Sequence, residues 1–306
     1  MRRVVLVLSL VFGFVLLGCS DDIEEDNPGL NEPPVEEEDD SKEIQVPEGY
    51  ELIWADEFDE GDRPNSEYWS FENGFVRNEE LQWYQPENAE IENGLLIIEG
   101  RRERLKNPNY QKNSGDWKKN REYAEYTSAS IKTRNKFSFK YGILEVRARI
   151  DIDKGSWPAI WTLGINRGWP DNGEVDVMEF YRVNGVPNIL ANAAWKGKKR
   201  WEPTWDGSKK PLSYFTDEDP QWENKFHTWR MEWDKDYIRL YLDEELLNKI
   251  KVSDADYADG FNPFRQPHYI LLNLAIGSNG GDPSETDFPL KYEINYVRVF
   301  QKKTDE

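Results

Sequence analysis

The chain has 306 residues, a formal net charge of −20, a single cysteine, and 13 Trp, 15 Tyr and 14 Phe. The acidic balance argues against a nucleic-acid partner, because phosphate binding needs clustered Lys and Arg. One cysteine excludes an internal disulfide, so stability must come from a packed core, for which the aromatic content supplies ample material.

The first segment is a targeting sequence. Arg2 and Arg3 precede an apolar run over 4–17, shorter than the ~20 residues a helix needs to cross a bilayer. It ends in Leu16-Leu17-Gly18-Cys19. A sole cysteine after a small residue at the end of such a run resembles a bacterial lipobox, with 1–19 as the signal peptide and Cys19 as the lipidated residue. Residues 20–45 carry 12 Asp or Glu against one Lys, with three Pro and few large apolar groups. Self-repulsion predicts an extended, disordered tether that lifts a folded domain over 46–306 from a membrane. The acids directly after Cys19 resemble a lipoprotein surface-export signal. The predicted location is therefore the cell envelope, lipid-anchored to the outer membrane and surface-exposed.

From residue 46 onward the dominant period is two. Leu144, Val146, Ala148 and Ile150 alternate with Glu145, Arg147 and Arg149, and Ile238, Leu240 and Leu242 with Tyr237, Arg239 and Tyr241. Further strands are predicted over 95–99, 128–133, 159–163, 189–195, 227–233, 269–276 and 292–300, separated by turn clusters of Gly, Asn, Asp and Pro. No segment carries a long helical stripe, and no repeat or second folded domain is visible. The fold class is all-β, a sandwich of two antiparallel sheets. Two loops are predicted to be long, 103–121 and 196–222. The second, with Trp195 at its edge, carries Trp201, Trp205 and Trp222 beside Lys196, Lys198, Lys199 and Arg200, and reads as a binding wall.

The densest chemical signal is Glu174-Val175-Asp176-Val177-Met178-Glu179. On a regular strand Glu174 and Asp176 share a face that position 178 should continue, but position 178 is Met. One extra residue, a β-bulge within Val177-Met178, would bring Glu179 onto the face of the other two acids and leave Val175 directed to the core. Like charges crowded there raise at least one pKa, which general acid and nucleophile chemistry uses. Trp157 and Trp161 upstream share one strand face, and Trp169 lies in the following turn. Aromatic faces beside paired carboxyls point to a carbohydrate cleft.

The acid motif, preceded by residues 157–161 (Trp-Pro-Ala-Ile-Trp), resembles glycoside hydrolase family 16. The likeness extends through 54–58, 78–84, 92–99, 126–134, 137–145 and 296–300, and its spacing is that of the laminarinase-like and marine β-galactanase branch. It implies a β-jelly-roll with a concave substrate cleft and a retaining, endo-acting hydrolase of β-linked polysaccharide such as β-1,3- or mixed-linkage glucan. By position, Glu174 would be the nucleophile, Glu179 the general acid and base, and Asp176 their hydrogen-bonding neighbour. Retention requires carboxyls ~5–5.5 Å apart. The resemblance places substrate contacts at Trp157, Trp161, Trp169, Asn78 and Tyr84; Trp195 is added from the aromatic loop.

No cofactor is required by this chemistry, but the resemblance allows a structural Ca²⁺ at Glu57, the Gly94 carbonyl and Asn295, where Asn295 replaces the usual acid. A polysaccharide is the expected partner of a monomeric, membrane-anchored enzyme. Two departures bear on the sugar. The strand after the acids reads Ala191-Asn192-Ala193-Ala194-Trp195 where laminarinases often carry two histidines, and 277–284 lacks a Trp-containing loop. Alternatives are therefore a β-galactan (agar, porphyran or carrageenan type), a transglycosylase, or a non-catalytic surface glycan-binding protein; the last should have lost an acid, and all three are kept.

Overall fold

The computed structural model describes residues 44–199 and 201–303. The leader with Cys19 and nearly all of the tether lie outside the described residues. The strands of the two large sheets are, in chain order, β1 (Tyr50–Asp56), β2 (Ser70–Phe71), β3 (Ala89–Glu92), β4 (Leu95–Gly100), β5 (Ser130–Lys132), β6 (Gly142–Ile150), β7 (Ser156–Gly164) and β8 (Glu174–Val183). They continue with β9 (Val186–Lys196), β10 (Pro203–Pro211), β11 (His227–Trp233), β12 (Tyr237–Leu242), β13 (Glu245–Lys251), β14 (His268–Ile276) and β15 (Leu290–Lys302).

One sheet runs β13-β12-β11-β6-β15-β4-β3, with β1 also on β15; the other runs β10-β9-β8-β7-β14-β5-β2. The ladders of both are antiparallel. Pairing of β6 with β15 and of β7 with β14 takes long connections that return distant segments beside each other, the Greek-key wiring of a jelly roll.

The alternation read from the sequence is the alternation observed. In β6 the side chains of Leu144, Val146, Ala148 and Ile150 are buried between the sheets, and Glu145, Arg147 and Arg149 are half-buried on the other face. Opposite them β8, β9 and β14 contribute Val175, Phe180, Ile189, Ala191, Ile270 and Leu272 to the same core. The sheets differ on their outer faces. Every residue of β14 is buried, so the seven-stranded sheet is covered on its outer side as well. That cover is a second apolar cluster of Ala159, Trp161, Tyr269 and Leu271, the floor of a cleft.

The region predicted as a loop over 196–222 instead contains β10, which pairs with β9 from Asn188↔Pro211 to Lys196↔Pro203. Its sequence begins and ends in Pro and holds two Lys and a Gly, a composition that central strands avoid and edge strands tolerate. Residues 103–121 hold a two-residue ladder partner, Leu105–Lys106, and one helical turn, Trp117–Asn120, whose Lys118 N–H donates to the Asp116 side chain at 3.0 Å.

Glu57, one of the residues expected at a calcium site, has a cationic partner within the protein. Both carboxylate oxygens of Glu57 accept from Arg298, Nε at 2.8 Å and Nη2 at 2.9 Å, and the guanidinium is buried. A cation beside that guanidinium would be repelled, and Asn295 adds no charge. Among the described residues no group of three or more acidic, His or Cys side chains could hold a metal. The fork-shaped pair ties the segment after β1 to β15. Arg298→Ala should strand Glu57 and lower the unfolding free energy by about 3 kcal/mol in chemical denaturation. Excess EDTA should leave the thermal midpoint of the unsubstituted protein where it is.

Candidate active site

The bulge forms where the spacing places it. Along β8 and β9, Asp176 pairs with Asn192 and Glu179 with Leu190, so three residues of β8 span two of β9. The extra residue lets Val177 and Met178 both enter the core, each fully buried, and returns Glu179 to the face of Glu174 and Asp176. Gly173 sets the entry to this strand. Its φ is +74°, and a Cβ there would sit 2.6 Å from Pro263, so a side chain would displace the start of β8 and with it Glu174.

Strand pairing lays the cleft floor out as rows. Glu174 faces Leu163 and then Tyr269; Asp176 faces Trp161, Leu271 and Lys132; Glu179 faces Ala159, Asn273 and Ser130. Three acids thus stand at one side of an apolar and aromatic floor. The cleft encloses about 1060 Å³.

Each acid has a distinct set of neighbours. Glu179 accepts from the Trp157 indole at 3.0 Å and from Asn192 Nδ2 at 3.2 Å. Burial pushes its carboxyl up to about 7, against the pull of those two donors. Burial, and after it the charge of Glu179, pushes Glu174 up to about 8, while Arg77 and the Trp169 indole favour its ionised form. Asp176 is raised well above the usual carboxylate range by burial and by both glutamates, and its Oδ2 is buried without a hydrogen-bond partner. The three therefore cannot all be ionised near neutral pH, and the group titrates as a coupled set. A neutral carboxyl beside an ionised one is the arrangement that acid and nucleophile chemistry needs.

Of the substrate contacts predicted from sequence, Trp157, Trp161, Trp169 and Asn78 line the cleft with the acids. Tyr84 and Trp195 do not. Tyr84 is fully buried, and its hydroxyl accepts from Asn273 Nδ2 at 3.2 Å, while Asn273 Oδ1 accepts from the Trp161 indole at 2.7 Å. It therefore fixes Trp161 from below. Trp195 packs edge-on against Phe264 in the core, on the opposite face from its neighbour Ala194, which pairs with Glu174. Of the aromatic loop, Trp222 is buried between Phe215 and His227, and only Trp205 reaches the cleft.

The sequence reading missed Arg77, Glu72, Glu80 and Asn273, and read Asn192 only as a departure. Arg77 pairs with Glu72, and its guanidinium lies 5.0 Å from the Trp161 ring. Glu80 accepts from Gln82 at 2.7 Å and from Asn78 at 3.2 Å. A lone Asn inside the apolar run of β14 was a readable signal for Asn273; the acids and Arg of 72–80 sit in irregular chain with no period to assign them a face. Asn192 is packed from behind by β10, where a Cβ on Gly207 would lie 2.6 Å from its Oδ1.

Aligned carboxyls over an aromatic floor on a jelly roll define a glycosidase cleft. The chain belongs to the family described as "Glycosyl hydrolases family 16", whose model matches residues 97–298. It is 33% identical over 273 residues to a β-glucanase of Rhodothermus marinus, covering 82% of this chain and 85% of that one. The catalytic domain of an endo-1,3-β-glucanase (laminarinase) of Thermotoga petrophila RKU-1 superposes with a TM-score of 0.67 at 32% identity, over 83% of this chain and 99% of that chain. A structure described with endo-acting O-glycanases of human gut microbiota that initiate mucin breakdown gives 0.76 at 36% identity, over 85% and 93%. The protein is a glycosidase acting on O-glycosyl bonds.

The raised carboxyls carry a stability cost with a defined sign. Glu174 has a folded pKa of about 8 against 4.5 for the free side chain, so the folded state binds more protons between those values and stability falls as pH rises through that window. Glu174→Gln removes the buried charge. It should stabilise the fold by about 2 kcal/mol at pH 8, with the gain vanishing near pH 4.5, as measured by denaturant midpoints across pH.

Proposed function

We propose that the chain is a retaining, endo-acting hydrolase of β-1,3- or mixed-linkage glucan. The observation that carries this reading is the bulge that sets Glu174, Asp176 and Glu179 on one face of a cleft floored by Trp157 and Trp161. The likeness to β-glucanases supports the sugar.

The two glutamates titrate as one coupled set, and the reactive form is the one in which Glu174 is ionised and Glu179 holds a proton, the reverse of the order their separate shifts would give. In that form the Glu174 carboxylate attacks the anomeric carbon while Glu179 delivers its proton to the departing glycosidic oxygen. Glu179, now ionised, takes a proton from water, whose oxygen attacks the same carbon and releases Glu174. The Trp157 indole and Asn192 hold the Glu179 carboxyl through both states, accepting no proton themselves. Asp176 in its neutral form adds no charge of its own beside Glu174, which leaves the negative charge on the nucleophile before attack. Trp169 and Arg77 favour that charge.

A β-galactan or related glycan is the second reading. The strand over 191–195 supports it, carrying neither of the two histidines common there in laminarinases, as does the likeness to a structure tied to mucin O-glycanases. The proposed setting is the cell surface, with Cys19 lipidated and the acidic segment as tether.

Laminarin, mixed-linkage glucan, agarose, porphyran and carrageenan, each assayed for new reducing ends with product sizing, test the assignment. Internal cuts in a glucan support the first reading, and cuts confined to a galactan the second. Longer products than the starting oligosaccharides would identify a transglycosylase. Glu174→Ala and Glu179→Ala should each lose several orders of magnitude in turnover, and Asp176→Asn less. Undiminished activity in purified Glu174→Ala would end the mechanism.

A further inference from the structure

The far end of the cleft from the acids is basic, in a chain that is otherwise strongly acidic. Arg134, two residues past the end of β5, lines the cleft and is exposed, with its guanidinium 5.6 Å from the ring centre of the buried Tyr269. It makes no hydrogen bond or ion pair with any described residue. Lys132, two residues earlier, also lines the cleft and reaches Glu72 at 3.1 Å. Glu72 is shared, since its carboxylate also takes Arg77 and the Ser130 hydroxyl. Glu80, the other carboxyl near Arg77, is engaged by Asn78 and Gln82, and burial pushes it toward its neutral form. Glu72 is thus the one carboxylate that pairs with these cations, Arg77 also favours the charge of Glu174, and Arg134, the outermost cation, is unpaired.

The position of this charge within the cleft is set by register. Glu174, Leu163 and Tyr269 stand side by side on β8, β7 and β14, and Thr133 N–H bonds to Ile270 at the next strand position. The backbone of Arg134 is therefore three strand spacings from that of Glu174, roughly 14 Å, with the guanidinium reaching back toward Tyr269 on the strand between. That is beyond the sugar at the point of cleavage. An exposed guanidinium that lies near an aromatic ring and has no other partner is available to a ligand in the cleft, and its planar N–H edge matches the two oxygens of a carboxylate or a sulfate ester. A neutral glycan needs no such group, because its hydroxyls are served equally well by Asn or Ser.

We propose that the cleft end formed by Arg134, Lys132 and Tyr269 is a subsite for a sugar carrying an anionic substituent, a sulfate ester or a carboxylate, at a distance from the bond that is cut. Tyr269 supplies the platform that holds the guanidinium, and Lys132 adds charge without a fixed direction. The inference deepens the glycosidase reading and rests on its cleft, since it names a substituent on the polymer and leaves the backbone sugar open.

The test measures binding, so that it stands apart from turnover. The full chain carrying Glu174→Gln is titrated calorimetrically with oligosaccharides in matched sets: laminarin in neutral, partly sulfated and C6-carboxylated forms, and neutral agarose against porphyran. In at least one set the anionic form should bind about tenfold more tightly than its neutral counterpart. The sulfated and carboxylated arms identify which anion is taken. Adding Arg134→Ala should bring the ratio to within about twofold, Arg134→Lys should keep part of it, and high salt should reduce it. Equal binding of neutral and anionic forms in every set, no binding of any probe, or an anionic preference that survives Arg134→Ala would each overturn the proposal. Failure of the glucan reading would show separately, as missing reducing ends with the unsubstituted enzyme.

Discussion

One extra residue in one strand organises this protein. Without the bulge at Val177-Met178, period two would put Met178 in the cleft and Glu179 between the sheets. With it, two neighbouring side chains enter the core and three acids keep one face. The bulge is held in place from both sides, by the burial of Val177 and Met178 beneath it and by Trp157 and Asn192 bonded to Glu179 above it. The rows of the cleft floor follow from the register it imposes.

The same device concentrates charge where water is scarce. Three carboxyls in a buried row oppose folding, and each is shifted upward because its neutral form is the cheaper one to bury. The surrounding scaffold is built to tolerate this. β14 is buried along its length, and the chain Tyr84–Asn273–Trp161 fixes the floor through hydrogen bonds that do not involve the acids. Activity and stability therefore pull in opposite directions at these positions, as is common where a site holds charge against solvation.

Much of this was legible in the sequence, and the reason is periodicity. β6, β11 and β12 alternate so regularly that their core faces could be named in advance, and the break in period at Met178 was itself the sign of the bulge. What escaped was set by tertiary context. β10 reads as loop because an edge strand can carry Pro and Lys at no cost to a ladder on that side. Trp195 was assigned to the cleft on aromatic character, although parity with Ala194 on β9 sends it inward. The pairing of Glu57 with Arg298, distant in sequence, could not be read from either segment alone. Arg77 and Glu80 come from irregular chain, where only the fold decides which way a side chain points.

The central claim is that the bulge gives the cleft a nucleophile and a proton donor matched for two successive displacements at one carbon. Proton NMR of a fresh digest reads this directly through the configuration of the first reducing end released from a β-linked substrate. With Glu174 as nucleophile the β-anomer appears first and the α-anomer only later by mutarotation. Initial release of the α-anomer would mean a single displacement by water, and would contradict the role given to Glu174.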